Sequence, residues 1–409
     1  MDEKEAISII MDIANNGSAP DHGCKFFDYG NKQYYDRLVK FHIKNGFKEY
    51  HRSDSRFIIG QYGCGKTHFA QAFSEIGVSE YNCASSFISL GKQISIKDGQ
   101  QFCGSVIESL SVPGIKGKGL KKILEGYLNK IKKDYPDWHE NPEPLKAEIS
   151  SLDDFDFEHQ TFGWVIKKTI LALLEGNDNI YQNGIFWLSG NIGDSRTCKE
   201  LNIPKSTSNM DQYYKLILSI FQFISNKASY SGTIIVVDEG DGLRDDNKKN
   251  KFSEICYLFN NLILSLNKVK LASVLFIFII TPDILSEMNK CPMLEQKIKD
   301  ANDKDFWNGN DHTTKIDMDQ RPLDENKTNL SELIGIGNSI LQFAFREFGH
   351  KIFVDKIVAE EFVIKKTEDI LKRNPSRNNV RDISRDVASF VLDNSSVFDE
   401  DDDKPEPEI

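Results

Sequence analysis

Residues able to handle a phosphate stand close together in Arg56–Thr67, RFIIGQYGCGKT. The spacing G-x-x-x-x-G-K-[ST] falls on Gly60, Gly65, Lys66 and Thr67, with a further glycine at Gly63. Glycines let successive backbone N–H groups turn inward around an anion, and a helix N-terminus behind them adds partial positive charge. Lys66 would reach the β- and γ-phosphates, and the Thr67 hydroxyl would hold Mg2+. Gln61, Tyr62 and Cys64 complete the loop and His68 follows it, so residues 60–68 are the candidate nucleotide-binding set. A second group is Asp238-Glu239, directly after the run Thr233-Ile234-Ile235-Val236-Val237. Beside a phosphate loop, Asp238 would hold Mg2+ through water, and Glu239 would polarise the attacking water as general base. Thr281 ends the apolar run Ala272–Ile280. Two compatible readings stand for it: a hydrogen bond to the γ-phosphate or the attacking water, and, with Pro282 next, a helix N-cap.

These groups need a scaffold that brings distant strand ends together. Phe57-Ile58-Ile59 reads as a strand before the loop and Thr67–Ile76 as a helix after it, the context that gives the motif meaning. Further strands are expected at Cys83–Leu90, Thr233–Val237, Ala272–Ile280 and Thr313–Met318, the fourth apolar enough to be covered on both faces. Helical spacing marks Glu3–Asn15, ended by Asn16-Gly17, and then Gln33–Ile43, Asp98–Leu110, Leu120–Lys133, Thr161–Leu174, Met210–Asn226 and Asn250–Asn267. Ile185–Leu188 closes a short element, and the acidic, proline-bearing Asp137–Glu158 reads as a loop. Leu330–Phe348, Ala359–Lys372 and Val380–Leu392 make an all-helical module. The expectation is an α/β protein with a helical lead-in at 1–50 and a core at 51–322 holding a helical insertion at about 112–230. A helical lid at 323–395 and an acidic disordered tail at 396–409 follow. The lead-in reads as packing against the sheet rather than as chemistry. Arg377, Arg381 and Arg385 recur every four residues and share one helix face. Arg377, at the helix entry, is the candidate lid arginine, while Asp382 and Asp386 offer surface partners to the other two.

Composition sets bounds. The 409 residues carry a formal charge of −11, of which the tail Asp399–Ile409 holds −6. That removes the simplest argument for direct nucleic-acid binding. The seven cysteines are dispersed with no C-x-x-C pair, as in reduced cytosolic thiols rather than a disulfide framework or zinc site. The acidic N-terminus does not resemble a signal peptide, and the longest apolar run, Val274–Ile280, is far short of a membrane span. A cytoplasmic protein is expected. The lysine-rich stretch Lys116–Lys133 reads as a solvated helix face before a polyanion contact. An N-K-x-D-like segment is absent after the later strands, which favours ATP over GTP, and no acceptor site for a nucleotide kinase stands out.

The order of parts resembles the AAA+ ATPases, especially the branch shared with origin-recognition and STAND-type ATPases. The matching residues are Gly60–Thr67, Ile234–Glu239, Thr281 as first sensor and Ser376-Arg377 at the second-sensor position. The resemblance implies a P-loop NTPase fold, a five-stranded parallel sheet in the order 5-1-4-3-2, and a lid packed over the nucleotide. A closer resemblance, over nearly the whole chain, is to the BrxD-like ATP-binding proteins of bacterial phage-defence (BREX-related) islands. It is carried by RFIIGQYGCGKTHF (56–69), GLKKILEGYLNKI (119–131), GIFWLSG (184–190), SGTIIVVDEGDGLR (231–244) and FIITPDIL (278–285). This implies an ATPase subunit that uses Mg-ATP to remodel, load or regulate a protein partner, a helicase. DNA would be reached through that partner, a homo-oligomer is possible, and no membrane is involved. Leu294-Glu295-Gln296-Lys297 stands where relatives would place an arginine finger, Arg321 lies further on, and no winged-helix domain follows the lid. The alternative is therefore an ATP-held switch with little turnover, recruiting a partner through the insertion. A DNA-binding initiator is a third reading, motivated by the lysine stretch and the arginine face.

Overall fold

Five strands, the third and fourth of them continuous runs of largely β-branched and aromatic residues, build one sheet in a computed structural model of the chain. The structure describes residues 1–17, 19–20, 22–90, 94, 98–205, 207–238, 260–265, 272–298, 305–322, 328–375 and 379–396. The strands are β1 (Asp54–Ile59), β2 (Ala84–Ser89), β3 (Thr233–Asp238), β4 (Val274–Ile280) and β5 (Lys315–Asp317). They lie in the order β2-β3-β4-β1-β5, all pairs parallel, which is the expected order. Register pairs Ile59 with Ile280 and Val237 with Phe278. Gly60, Asp238 and Thr281 therefore emerge along one edge, at the carboxyl ends of the strands, where open parallel sheets bind ligands.

Alternation along the strands sorts two cores. Phe57, Ile59, Ile235, Val237, Phe276 and Phe278 join a core with the helices between β2 and β3. Ile58, Ile234, Val236, Leu275, Ile277 and Ile316 face the other way, against the loop helix Lys66–Tyr81, the N-terminal helix Glu3–Asn16 and the C-terminal helices. Every residue of β3 and β4 is buried, as a doubly covered sheet demands.

The helices at Gly99–Glu108, Leu120–Asp134, Phe162–Glu175 and Met210–Asn226 fall where the apolar spacing put them. So do Asn329–Phe348, Lys356–Arg373 and Val380–Asp393. Three expectations need correction. Asp137–Glu158 is not a loop: it holds a helix at Glu143–Ser150 and a 3-10 turn at Ser151–Asp154, with Leu145, Ile149 and Leu152 fully buried. Its acids hid an apolar stripe, and its prolines sit at the helix entry, where proline is tolerated. Ile185–Leu188 is the last turn of a longer helix, Asp178–Leu188. The helix expected at Gln33–Ile43 runs Lys32–Leu38 and continues as a π-helix to Glu49. Of Asn250–Asn267, residues 260–265 are described and are helical. Among the described residues no helix is long and apolar enough to cross a membrane, and the cysteines are free thiols.

A buried arginine pins β1 to the segment before β5. Arg56 Nε donates to His42 Nε2 at 2.9 Å, and its other nitrogens donate to the carbonyls of Asp311 (2.8 Å) and Thr313. Burial, reinforced by the charge of Arg56, holds His42 well below the ordinary histidine pKa. Burial likewise pushes His159, in the other core, down to about 4. Both rings stay neutral in the folded protein while the unfolded chain takes up protons below about pH 6.5. Their contribution to stability is thus present at neutral pH and lost as the pH falls from 6.5 toward 4. Replacing His159 with leucine is expected to flatten the loss between pH 7 and pH 5 by about 2 kcal/mol in urea denaturation. An unchanged slope would show that His159 titrates normally.

Candidate functional site

Backbone geometry makes the loop after β1 a cradle. Gly63 (φ 79°) and Gly65 (φ 88°) adopt left-handed conformations that side chains disfavour. A Cβ on Gly60 would lie 2.5 Å from Cys64 Sγ. The helix Lys66–Tyr81 starts immediately, with Phe69 N–H donating to Gly65 O at 2.9 Å. Gln61 N–H donates to Asp319 Oδ2 at 2.9 Å, tying the loop to the turn after β5. Buried Lys66 folds back on the loop, its Nζ donating to the carbonyls of Gly60 (2.8 Å) and Gln61 (2.9 Å).

The strand ends then meet. Thr67 Oγ1 donates to Asp238 Oδ2 at 2.7 Å, across 171 residues of sequence. Thr281 is buried at the tip of β4 and occupies the N-cap position of the helix Pro282–Met288, yet its side chain makes no capping bond. Lys66, Thr67, Asp238 and Thr281 line one cleft of about 280 Å3, together with Tyr62–Gly65 and His68. Glu239 and Arg377 lie outside the described residues. Arg385 makes the surface pairs, to Asp382 (3.3 Å) and Asp386 (3.4 Å). Arg381, read as a surface partner, instead lines the cleft.

The lead-in does more than pack. Besides packing on the sheet as expected, it brings Phe27, Asp28, Tyr29 and Asn31 to line the same cleft. Glu75 on the loop helix accepts the N–H groups of Cys24 (3.2 Å) and Lys25 (3.0 Å). On the other side Ser339 donates to Phe27 O at 2.6 Å, and the Tyr29 ring fills the space that the absent side chain of Gly335 leaves. The segment is thus strung between the loop helix and the helix Asn329–Phe348. No local pattern in Phe27–Asn31 announces this, because its position depends on contacts 50 and about 300 residues away. Arg321 was equally hidden: it donates to Asn31 Oδ1 at 2.7 Å and pairs with Glu332.

Electrostatics follow burial. The Cys64 thiol is pushed up to about 11 by desolvation, against the pull of Lys66, which leaves it a poor nucleophile at neutral pH. Desolvation lowers the pKa of His68, opposed by Asp28, whose Oδ1 lies 3.7 Å from His68 Nδ1. Some lysines of Leu120–Asp134 are engaged within the insertion: Lys122 pairs with Glu125 at 2.7 Å, and Lys132 lies over the Trp138 ring at 4.0 Å.

Burial raises the Glu75 carboxyl pKa, and the backbone N–H groups it accepts oppose that rise. Replacing Glu75 with alanine leaves those N–H groups without an acceptor. The change should cost about 1–3 kcal/mol and speed hydrogen exchange at 23–31 relative to the loop-helix core. Uniform exchange across both segments would argue against the clamp.

The chain can now be set beside known proteins. A family model described as "BREX system ATP-binding protein BrxC/D" matches residues 2–374. No curated protein and no solved structure matches the chain. The match takes in the lead-in, the glycine loop, Asp238, Thr281 and Arg321, which all reach the cleft, while Arg381 lies beyond the match. With that match spanning nearly its whole length, the chain belongs to the BREX system ATP-binding proteins BrxC/D and is an ATP-binding component of that phage-defence system.

Proposed function

We propose that this protein is an ATPase of the AAA+-like P-loop type, which turns over Mg-ATP to remodel or load a defence partner, a helicase, on nucleic acid. The observation that carries this reading is the 2.7 Å hydrogen bond from Thr67 to Asp238 at the mouth of the glycine loop. It sets a hydroxyl and a carboxylate side by side where the loop N–H groups would hold phosphates. Mg2+ takes oxygen ligands, keeps several waters and shares phosphate oxygens, so one hydroxyl and one carboxylate suit it. A dedicated cage is not needed, and among the described residues no cluster of three or more His, Cys, Asp or Glu forms one.

The chain's own residues divide the work. Lys66 exchanges the neutral carbonyls of Gly60 and Gln61 for charged phosphate oxygens, a stronger pairing. Glu239, next after Asp238, takes the proton of the attacking water as general base. Thr281 orients that water from the tip of β4, and Arg377 approaches from a lid at 323–395 over the 51–322 core. Strand order, with β1 between β4 and β5, supports the AAA+-like assignment. DNA is reached through the partner, in keeping with a net charge of −11 and with Lys122 and Lys132 of the insertion engaged in internal contacts.

A second reading, an ATP-held switch with little turnover, is favoured by one observation. Arg321, the arginine nearest the missing finger, is committed inside its own cleft to Asn31 and Glu332.

ATP turnover, measured with and without the partner and DNA, separates the two. Lys66→Ala should weaken ATP binding about a hundredfold or more, as loss of a charged phosphate contact implies. Glu239→Gln should keep binding and lower turnover by about 10²–10⁴. Wild-type protein that binds ATP but hydrolyses none under any of these conditions would make the switch the correct reading.

A further inference from the structure

A second polar chain crosses the cleft beside the Thr67–Asp238 pair. It begins at His68, whose Nδ1 lies 3.7 Å from Asp28 Oδ1. That oxygen accepts from Asn31 Nδ2 at 2.6 Å and from the Tyr35 hydroxyl at 2.7 Å. Asn31 Oδ1 accepts from Arg321 at 2.7 Å, and a second guanidinium nitrogen of Arg321 pairs with Glu332 Oε1. The loop helix, the lead-in, the turn after β5 and the helix Asn329–Phe348 thus share one network.

Its far end is incomplete. The Glu332 side chain is 9% exposed, and its Oε2 is buried with no hydrogen-bond partner among the described residues. A buried carboxylate oxygen without a donor is costly and calls for an explanation. Arg321 holds the other oxygen, so Oε2 reaches a donor in the cleft by turning about that pair. Glu332 lines the cleft, and Ile336, one turn further along the same helix, continues its wall with Ile13 and Val380. An apolar wall suits the flat, weakly polar part of a nucleotide, and a lone acceptor at its edge suits a donor carried there.

We propose that Glu332 reads the nucleoside half of bound ATP, its Oε2 accepting a hydrogen bond from a ribose hydroxyl or from the adenine amino group. Arg321, Asn31 and Asp28 are positioning residues that hold the carboxylate in line. The proposal rests on ATP occupying the cleft between the glycine loop and the lid.

Equilibrium binding tests it, without reference to turnover. ATP, 2′-deoxy-ATP, 3′-deoxy-ATP and purine riboside triphosphate, which lacks the amino group, are titrated into the wild type and into Glu332→Gln. The wild type should bind one of the three analogues about tenfold weaker than ATP or worse, as loss of a hydrogen bond to a charged group implies. Which analogue suffers identifies the donor. Glu332→Gln should bind ATP weaker by a similar factor and should no longer discriminate against that analogue. A wild type that binds all four equally overturns the proposal even if the variant does not fold. A variant that keeps the full wild-type discrimination overturns it as well. Failure of the underlying site looks different: ATP binding would then be indifferent to Lys66→Ala.

Discussion

Burial of the sheet on both faces leaves polar chemistry little room except at the strand ends. β3 and β4 are buried at every position, and between Thr233 and Asp238 at the two ends of β3 and along all of β4 their side chains are apolar and pack. The first residues free to be polar are those at the carboxyl edge. Parallel register then does the rest, because it aligns the ends of β1, β3 and β4 although β1 ends at Ile59 and β3 begins only at Thr233. Gly60, Asp238 and Thr281 become neighbours through the sheet alone. The Thr67–Asp238 hydrogen bond is the local consequence of that alignment.

The same edge is closed from outside by segments that are not part of the sheet. Glu75 and Ser339 hold the lead-in from opposite sides, and the lead-in in turn carries Asp28 and Asn31 to the cleft. Arg321 then joins Asn31 to Glu332. Several buried charges in this region are paired in series rather than singly. Breaking one leaves its neighbour uncompensated, which is more damaging than the loss of one surface pair. The loop helix and the helix Asn329–Phe348 are therefore connected through the lead-in, by the hydrogen bonds of Cys24 and Lys25 to Glu75 and of Ser339 to Phe27 O.

At the opposite end of β1, Arg56 serves a purely architectural purpose. Its guanidinium saturates the carbonyls of Asp311 and Thr313, which lead into the three-residue β5. So short a strand has few ladder bonds of its own, and the arginine fixes the segment that delivers Asp319 to the loop and Arg321 to the cleft. Neutral His42 accepts from Arg56 because burial disfavours its charged form.

The sequence by itself determined the parts with a local physical signature. Glycine spacing marked the loop, because only glycine tolerates the φ of positions 63 and 65. Continuous apolar runs marked β3 and β4, and helical periodicity marked Met210–Asn226 to the residue. The tertiary structure alone decided which distant groups share the cleft. Asp28, Asn31, Arg321 and Glu332 follow no motif, and each owes its place to partners far along the chain. Arg381 and Arg385 are alike by spacing and both pack beside Gly17, yet one lines the cleft and the other pairs with Asp382 and Asp386. Local sequence sets what a residue is able to do, and the fold sets what it meets, since the long-range contacts that carry Asn31 to Arg321 span 290 residues and have no short-range trace.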